Sequence, residues 1–179
     1  ERNHIWPEIL PGDEHVLFTI VTPGPLENAQ IAVLTIATGE YQILFPGGSG
    51  AKYVPTGHIV YGVGGTLRAV GFDLDTLTVT TEPIPVVEDV LMGPRGAANF
   101  AFSDEGALVY VEGQAGTAVG VDLVWVDTEG VEEVLAANTG NYRQPRLSPD
   151  GNRMAVQMRD TTNGNSDIFI YDILCPLLF

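Results

Sequence analysis

A turn-forming cluster followed at once by a short apolar run occurs four times in this chain of 179 residues. Proline presets φ, aspartate caps a turn with its side chain and glycine accepts positive φ, so each cluster predicts a tight reversal between antiparallel strands. The clusters are Leu10-Pro-Gly-Asp, Val54-Pro-Thr-Gly, Ser103-Asp-Glu-Gly and Ser148-Pro-Asp-Gly. Intervals of 44, 49 and 45 residues separate the apolar positions taken as equivalent, which are Val16, Val60, Val109 and Met154.

Each repeat has room for several short strands rich in β-branched and aromatic residues. The predicted inner strands, which precede the turns, are 5–10, 51–54, 99–102 and 143–147. The second strands are 16–21, 59–63, 108–112 and 154–159, and the third strands lie within 31–40, 67–75, 123–130 and 167–172. A fourth strand is predicted only in the first three repeats, at 41–45, 77–81 and 132–135.

Repeats of roughly 40 to 50 residues built from four short strands are typical of β-propeller blades. The third strands are apolar without clean alternation, as expected for strands that neighbouring blades cover on both faces. The sequence therefore predicts an all-β fold: one β-propeller domain over residues 1–179 with about four four-stranded antiparallel blades. The approximate blade boundaries are 4–47, 48–90, 91–138 and 139–179.

The chain is acidic, with 23 Asp and Glu against 8 Lys and Arg and a formal charge of −15. Such a field repels phosphate backbones and anionic headgroups, so neither nucleic acid nor a membrane surface is an expected partner. No apolar run approaches the roughly 18 residues of a membrane span, so we expect no membrane insertion. The charge is compatible with cationic partners, divalent metals or high solubility.

The last repeat resembles a known family. Ser148-Pro-Asp-Gly-Asn-Arg-Met-Ala-Val156, followed by Asn165-Ser-Asp-Ile-Phe-Ile-Tyr-Asp172, is similar to the PD40, or WD40-like, motif of TolB-like β-propellers. The segments 4–11, 53–61 and 103–110 resemble propeller regions attached to some bacterial serine/threonine kinases and peptidases. The resemblance implies a bacterial protein with a periplasmic or other extracytoplasmic location.

Three features depart from that motif. Pro11-Gly12-Asp13 inverts the Asp-Gly order, Thr56 stands where Asp is usual, and the apolar ending 174–179 replaces a turn and a polar-flanked strand. TolB-like propellers usually have six blades, so four blades leave open faces and edges, which drive association. Two copies could complete a larger ring, four blades could close on themselves, or the chain could be part of a longer protein. We favour self-association, in which the segment after Asp172 pairs with a strand of another copy.

The sequence lacks the common motifs of catalysis and cofactor binding. Gly47-Gly-Ser-Gly50 does not have the spacing of a GxSxG nucleophile elbow, and there is no Walker-type phosphate loop. The three histidines have no short ligand spacing and Cys175 is the only cysteine, so we predict no catalytic residue, no metal site and no cofactor. Calcium is the alternative, although Asx turns are commoner in such loops; its ligands would be Asp73 and Asp75, or Asp160, Asn163, Asn165 and Asp167.

The candidate binding residues lie at the starts of the inner strands, because in a propeller these positions surround the central channel. Arginine and aromatic side chains there would meet a peptide or a carboxylate. The alternative is structural, with Arg146 paired to an acid of a neighbouring blade and Trp6 packed between blades. The candidates are Trp6, Glu8, Lys52, Tyr53, Asn99, Tyr142, Arg143 and Arg146.

A repeat fold without a catalytic set favours a non-enzymatic binding or scaffold module for a protein or peptide partner. Two alternatives come from the family resemblance: a propeller fragment of a larger hydrolase or peptidase, and the sensory propeller of a bacterial membrane kinase. Likeness of fold does not choose among them. We expect the protein to be a homo-oligomer or part of a longer chain.

Overall fold

The regular structure of this chain is almost entirely β-strand. The computed structural model describes residues 2–93, 96–113, 121–135, 141–160 and 162–173. The strands form four antiparallel sheets in which consecutive strands are neighbours, the up-and-down order of propeller blades. The predicted all-β fold with four β-propeller blades is confirmed. In the described part of the chain, no helix is long and apolar enough to cross a membrane.

The four blades have the following strands. The first contains β1 (Asn3–Ile9), β2 (His15–Val21), β3 (Gln30–Thr35) and β4 (Tyr41–Pro46), with a 3-10 helix at Leu26–Asn28 before β3. The second contains β5 (Ser49–Val54), β6 (His58–Val63), β7 (Thr66–Asp73) and β8 (Thr78–Val79), and β9 (Ile84–Val87) also pairs with β7. The third contains β10 (Phe100–Phe102), β11 (Leu108–Glu112), β12 (Asp122–Val126) and β13 (Glu132–Val134). The fourth contains β14 (Tyr142–Leu147), β15 (Arg153–Arg159) and β16 (Ser166–Asp172).

The outer strands differ most from the prediction. β8 is much shorter than the expected strand over 77–81. Beyond Val79, Thr80 N still donates to Gly71 O of β7 at 2.8 Å, but Gly71 N donates to the side-chain hydroxyl of Thr81 at 2.8 Å instead of to a backbone carbonyl, so the regular ladder ends. The additional strand β9 has no counterpart in the prediction. The fourth blade has three strands within the described residues, as expected. The predicted pairing of 174–179 lies outside the described residues.

Two compact units divide the chain. Unit one, Glu1–Glu88 and Met92–Ala98, contains the first and second blades. Unit two, Asp89–Leu91 and Asn99–Phe179, contains the third and fourth blades. A single domain over residues 1–179 therefore stays a prediction, and each unit is described by itself.

The strand registers define equivalent positions in the four repeats. Equivalent cross-strand pairs lie next to the turn in each blade: Ile9–Val16, Tyr53–Ile59, Phe102–Leu108 and Leu147–Met154. The structural equivalents of Val16 are therefore Ile59, Leu108 and Met154. Val60 and Val109, chosen from sequence alone, are displaced by one residue because the turns of the second and third blades are one residue shorter.

A shared hydrophobic core holds the two blades of unit one together. It joins Leu17 and Val33 of the first blade to Ile59 and Phe72 of the second. We call the face that carries Val16 and its equivalents the front of a blade, and the opposite face the back. Because successive strand side chains alternate, Leu17 is on the back of the first blade and Ile59 is on the front of the second. The back of the first blade therefore packs on the front of the second.

Unit two repeats this arrangement. Val109 and Leu123, on the back of the third blade, share a core with Met154 and Val156, on the front of the fourth. The turns of the two blades also meet, since Asp104 N donates to Pro149 O at 3.1 Å. Burial of apolar side chains between blades contributes roughly 25 cal/mol per Å² of apolar area and is the main source of stability in each unit.

Three of the four inner strands carry the same bulge. The register to the second strand shifts between Ile5 and Glu8, between Ser49 and Lys52, and between Arg143 and Arg146. Within the shift, Trp6, Gly50 and Gln144 have φ of 57°, 62° and 50°. In such a bulge one extra residue of the inner strand is left unpaired, so two residues that are three apart in sequence can face the same side of the blade. Arg143 and Arg146 do so.

The Ser-Pro-Asp-Gly turn of the fourth blade is held by its own side chains. The Ser148 hydroxyl donates to the Asp150 carboxylate and accepts from Arg153 N at 3.0 Å, and Asn152 N donates to the same carboxylate at 3.2 Å. The hydrogen bonds from Ser148 and Asn152, and then the charge of Arg153, lower the pKa of Asp150. Ser148, Asp150 and Asn152 therefore fix this turn.

Gly48 supplies the first test of blade packing. A Cβ at Gly48 would overlap the Tyr61 ring and lie 3.1 Å from Val63 Cγ2, whereas a Cβ at Gly39 would meet nothing within 4 Å. Both glycines have positive φ, so both alanine variants bear the backbone cost of about 1 to 2 kcal/mol. In urea unfolding we expect Gly48→Ala to cost a further 1 to 3 kcal/mol, roughly, from overpacking. Equal losses for the two variants would contradict the close contact with Tyr61.

The Asp150 carboxyl supplies the second test. We expect its pKa, measured by NMR titration, to lie below the ordinary value of 3.8, and Ser148→Ala to raise it. Because the pKa is depressed in the folded state, the contribution of this turn to stability is present above the unfolded pKa and is lost as pH falls through the folded pKa. Ser148→Thr keeps the hydroxyl and should keep the low pKa. A pKa that Ser148→Ala leaves unchanged would refute the assignment.

Candidate functional site

In unit one the inner strands are tied together by a side chain. Glu8 Oε1, from β1, accepts a hydrogen bond from the backbone N–H of Tyr53, on β5, at 2.9 Å. Both residues are half-buried, and the Tyr53 ring stands edge-on to Phe72 with centroids 6.4 Å apart. A second tie runs from Gly50 N to the buried hydroxyl of Thr19 at 3.1 Å. Glu8 and Tyr53 therefore join the two blades at their inner strands.

The other two candidates of unit one are also half-buried. Trp6 lies at the bulge of β1, and its indole N–H is buried without a hydrogen-bond partner among the described residues. Lys52 follows the equivalent bulge in β5 and has an interaction partner of its own. Trp6 and Glu8 thus lie on β1, and Lys52 and Tyr53 lie on the adjacent inner strand, β5.

Unit two contains the same kind of tie, made by an amide. Asn99 stands four residues before Ser103, as Trp6 and Gln144 stand four before Leu10 and Ser148. Its Oδ1 accepts from the backbone N–H of Gln144 at 2.9 Å and its Nδ2 donates to Leu91 O at 2.9 Å. Asn99 is buried, so its amide positions the inner strand of the fourth blade.

Tyr142 lies in the core of unit two. Its ring packs with Met154 and Val156, and the side chain is buried. Burial, followed by the hydrogen bond with Tyr171, raises the pKa of the Tyr142 phenol well above its ordinary value. The phenol therefore stays protonated at neutral pH, and the Tyr142 side chain packs in the core between the third and fourth blades.

Arg143 and Arg146 project from the back of the fourth blade. Arg143 Nε donates to Asn141 Oδ1 at 3.4 Å and Arg146 Nη1 donates to Pro145 O at 3.0 Å. Across the strands, Arg143 lies opposite Gln157 and Arg146 opposite Ala155, so both share one face. Among the described residues, neither guanidinium pairs with a carboxylate, so the expected alternative partner of Arg146 is not found there.

The same face carries two exposed isoleucines that the sequence analysis did not single out. Ile168 lies opposite Gln157 and Ile170 opposite Ala155, which continues the two rows that begin with Arg143 and Arg146. Ile168 is 68% exposed and Ile170 is 64% exposed. Because side chains alternate along a strand, the sequence Ser166-Asp-Ile-Phe-Ile-Tyr-Asp172 places both isoleucines on one face. That alternation is the sequence feature from which this pair could have been predicted.

Three of the suggested calcium ligands, Asp73, Asp160 and Asn163, are engaged in Asx turns. Asp73 Oδ1 accepts from the N–H groups of Asp75 and Thr76 at 2.9 Å each, and Asp160 Oδ1 accepts from Thr162 N at 2.7 Å. Backbone hydrogen bonds are the largest cause of the lowered pKa of both carboxyls.

Asn163 and Asn165 belong to the same hairpin as Asp160. Asn163 Nδ2 donates to Asp160 Oδ2 at 2.7 Å, and Asn163 Oδ1 accepts from Asn165 N at 2.8 Å. Asp167 is exposed on β16. In the parts of the chain that are described, no group of three or more His, Cys, Asp or Glu could hold a metal ion. Cys175 lies outside them.

The fold is shared with solved β-propellers at low sequence identity. TolB from Acinetobacter baumannii is 16% identical with a TM-score of 0.67, over 96% of this chain and 41% of TolB. A luciferin-regenerating enzyme is 12% identical with a TM-score of 0.67, over 97% of this chain and 62% of the enzyme. The β-propeller domain of the Trilobed protease from Pyrococcus furiosus, which has an open velcro topology, is 15% identical with a TM-score of 0.60, over 97% of this chain and 56% of that domain's chain.

These likenesses establish the β-propeller fold and nothing finer. This chain spans less than two thirds of each of the three proteins. No protein-family model matches the sequence, and no curated protein is similar to it in sequence.

The tie between Glu8 and Tyr53 can be tested by unfolding. Glu8→Ala leaves the half-buried N–H of Tyr53 without its acceptor, so we expect the free energy of unfolding in urea to fall by about 1 to 3 kcal/mol. Glu8→Gln retains an acceptor oxygen and should lose less. The exposed Glu14→Ala is the matched control and should change stability by no more than about 0.5 kcal/mol. A Glu8→Ala variant as stable as that control would show that the tie is not a structural link.

Proposed function

We propose that this protein is a non-enzymatic binding or scaffold module, and that it holds a protein or peptide partner at the back of its fourth blade. One observation carries the proposal. The back of the fourth blade combines two guanidinium groups that lack a carboxylate partner among the described residues with two exposed isoleucines.

The chemistry of this face suits a protein partner. A guanidinium binds a carboxylate through two parallel hydrogen bonds, and it does so with direction as well as charge. Isoleucine side chains beside it lose unfavourable contact with water when a partner covers them. Arginine next to apolar side chains is a common composition at the centre of protein interfaces.

Charge distribution supports the same face. Lys and Arg number only 8 in the chain, and four of them lie on the back of the fourth blade: Arg143, Arg146, Arg153 and Arg159. The molecule as a whole carries a formal charge of −15. An acidic partner would be repelled elsewhere and attracted here, which favours one orientation of approach.

The second candidate function is a propeller part of a larger hydrolase. The likeness to the propeller domain of the Trilobed protease favours it. A GxSxG-bearing domain in the same reading frame would support this candidate, whereas an upstream kinase domain with a membrane span would favour the sensory alternative. Self-association and a periplasmic or other extracytoplasmic location also remain proposals, as does calcium binding, the alternative to the prediction of no cofactor.

Affinity capture tests the proposed function. The immobilised chain should retain one or more other proteins from an extract of its source cells, counted by mass spectrometry without copies of the chain itself. We expect Arg143→Ala/Arg146→Ala to lower retention about tenfold, because each buried charge-assisted hydrogen bond is worth more than 1 kcal/mol. The control Arg2→Ala/Arg68→Ala removes the same charge from unit one and should retain as much as the parent chain. No retention above that of a denatured bait, or equal retention by both variants, would refute the proposal.

A further inference from the structure

We propose that one partner of the fourth blade's back is a second copy of this chain, which contributes the front of its first blade. The inference rests on the proposed function, because it names an occupant for the same face. It makes the contact head-to-tail, so the two copies use different surfaces.

Equivalent positions show what kind of surface covers the back of a blade. Ile168 and Ile170 correspond through the strand registers to Ile31 and Val33 of the first blade. Ile31 and Val33 are 0% and 2% exposed, in the core they share with the front of the second blade, while Ile168 and Ile170 are 68% and 64% exposed. The back of the fourth blade is therefore apolar at the positions that contact another blade's front, and within the described residues of unit two it has no such cover.

The front of the first blade is the matching open surface. Tyr41 lies in the row of Val16 and Leu34, and Ile43 in the row of Phe18 and Ala32. Phe18 and Ala32 are buried, but Tyr41 and Ile43 are 42% and 46% exposed. The ring of Tyr41 packs edge-on to Phe18 with centroids 5.8 Å apart, which fixes its position. Fronts of blades pack on backs within both units, so this front and the back of the fourth blade are surfaces of complementary type.

Charge also favours the pairing. The turn end of the first blade carries Asp13, Glu14 and Glu40, all exposed. The turn end of the fourth blade's back carries Arg146 and Arg153, with one carboxylate, that of Asp172, opposite Arg153. Stacked blades bring their turn ends together, as Asp104 N and Pro149 O do in unit two, so carboxylates of one copy would face guanidinium groups of the other.

The solution mass of the 179-residue chain gives the first measurement. In light scattering or sedimentation we expect the average mass to rise with concentration from 19.2 kDa to twice that value or more. Two variants each disable one face: Ile168→Glu/Ile170→Glu the back of the fourth blade, and Tyr41→Glu/Ile43→Glu the front of the first. Each alone should raise the Kd of self-association at least about hundredfold, because two carboxylates would have to be buried against apolar side chains. Ile84→Glu/Val86→Glu alters exposed apolar residues of β9 and should leave association unchanged.

A mixture of the two disabled variants gives the sharpest result. Each variant retains one intact face, so an equimolar mixture should form a one-to-one dimer that grows no further. Near-ultraviolet circular dichroism confirms that the variants are folded. A monomer at every concentration, a front variant that still self-associates like the parent, or a mixture that stays monomeric would each overturn the inference. If capture of other proteins persists while the chain stays monomeric, the inference fails and the proposed function stands.

Discussion

The structure depends on the contact of one blade's back with the next blade's front. A three- or four-stranded sheet has two faces, and an isolated sheet of this size cannot bury enough apolar surface to offset the loss of chain entropy. Each unit solves this by pairing two sheets around one core, which joins Leu17 to Ile59 in unit one and Leu123 to Met154 in unit two. The side chains of Glu8 and Asn99 add a hydrogen bond at the inner strands of each pair.

This constraint also determines where the chain can act. When blades pair back to front, some inner-strand side chains are buried between the blades and others stay accessible. The buried side chains serve packing, and the accessible ones are available for recognition. Asn99 and Tyr142 are buried and serve packing. On the same inner strand as Tyr142, the half-buried Arg143 and the exposed Arg146 lie on the opposite face, beside exposed isoleucines. The bulge at Gln144 places both arginines on one face, because it returns Arg146 to the face that Arg143 occupies.

Much of the fold could be predicted from the sequence, because turn chemistry and β-branched runs are local signals. The four turns and the three principal strands of each blade are found where the repeats predict them. The candidate site could be predicted only in part. A bulge shifts a strand by one residue and exchanges its faces, so sequence alternation could not tell that Arg146 shares the face of Arg143. Ile168 is exposed because no further blade covers it within the described residues of unit two, and no local sequence pattern encodes that.

Amide hydrogen exchange measured by NMR tests the link between blades most directly. The N–H groups of Tyr53 and Gln144 point away from their own sheets to Glu8 and Asn99, so their protection depends on the neighbouring blade. We predict that both amides exchange at least about a hundredfold more slowly than in the unfolded chain, with protection that Glu8→Ala removes from Tyr53 alone. Exchange of both amides at unprotected rates, while the ladders within each blade stay protected, would contradict the pairing of blades described here.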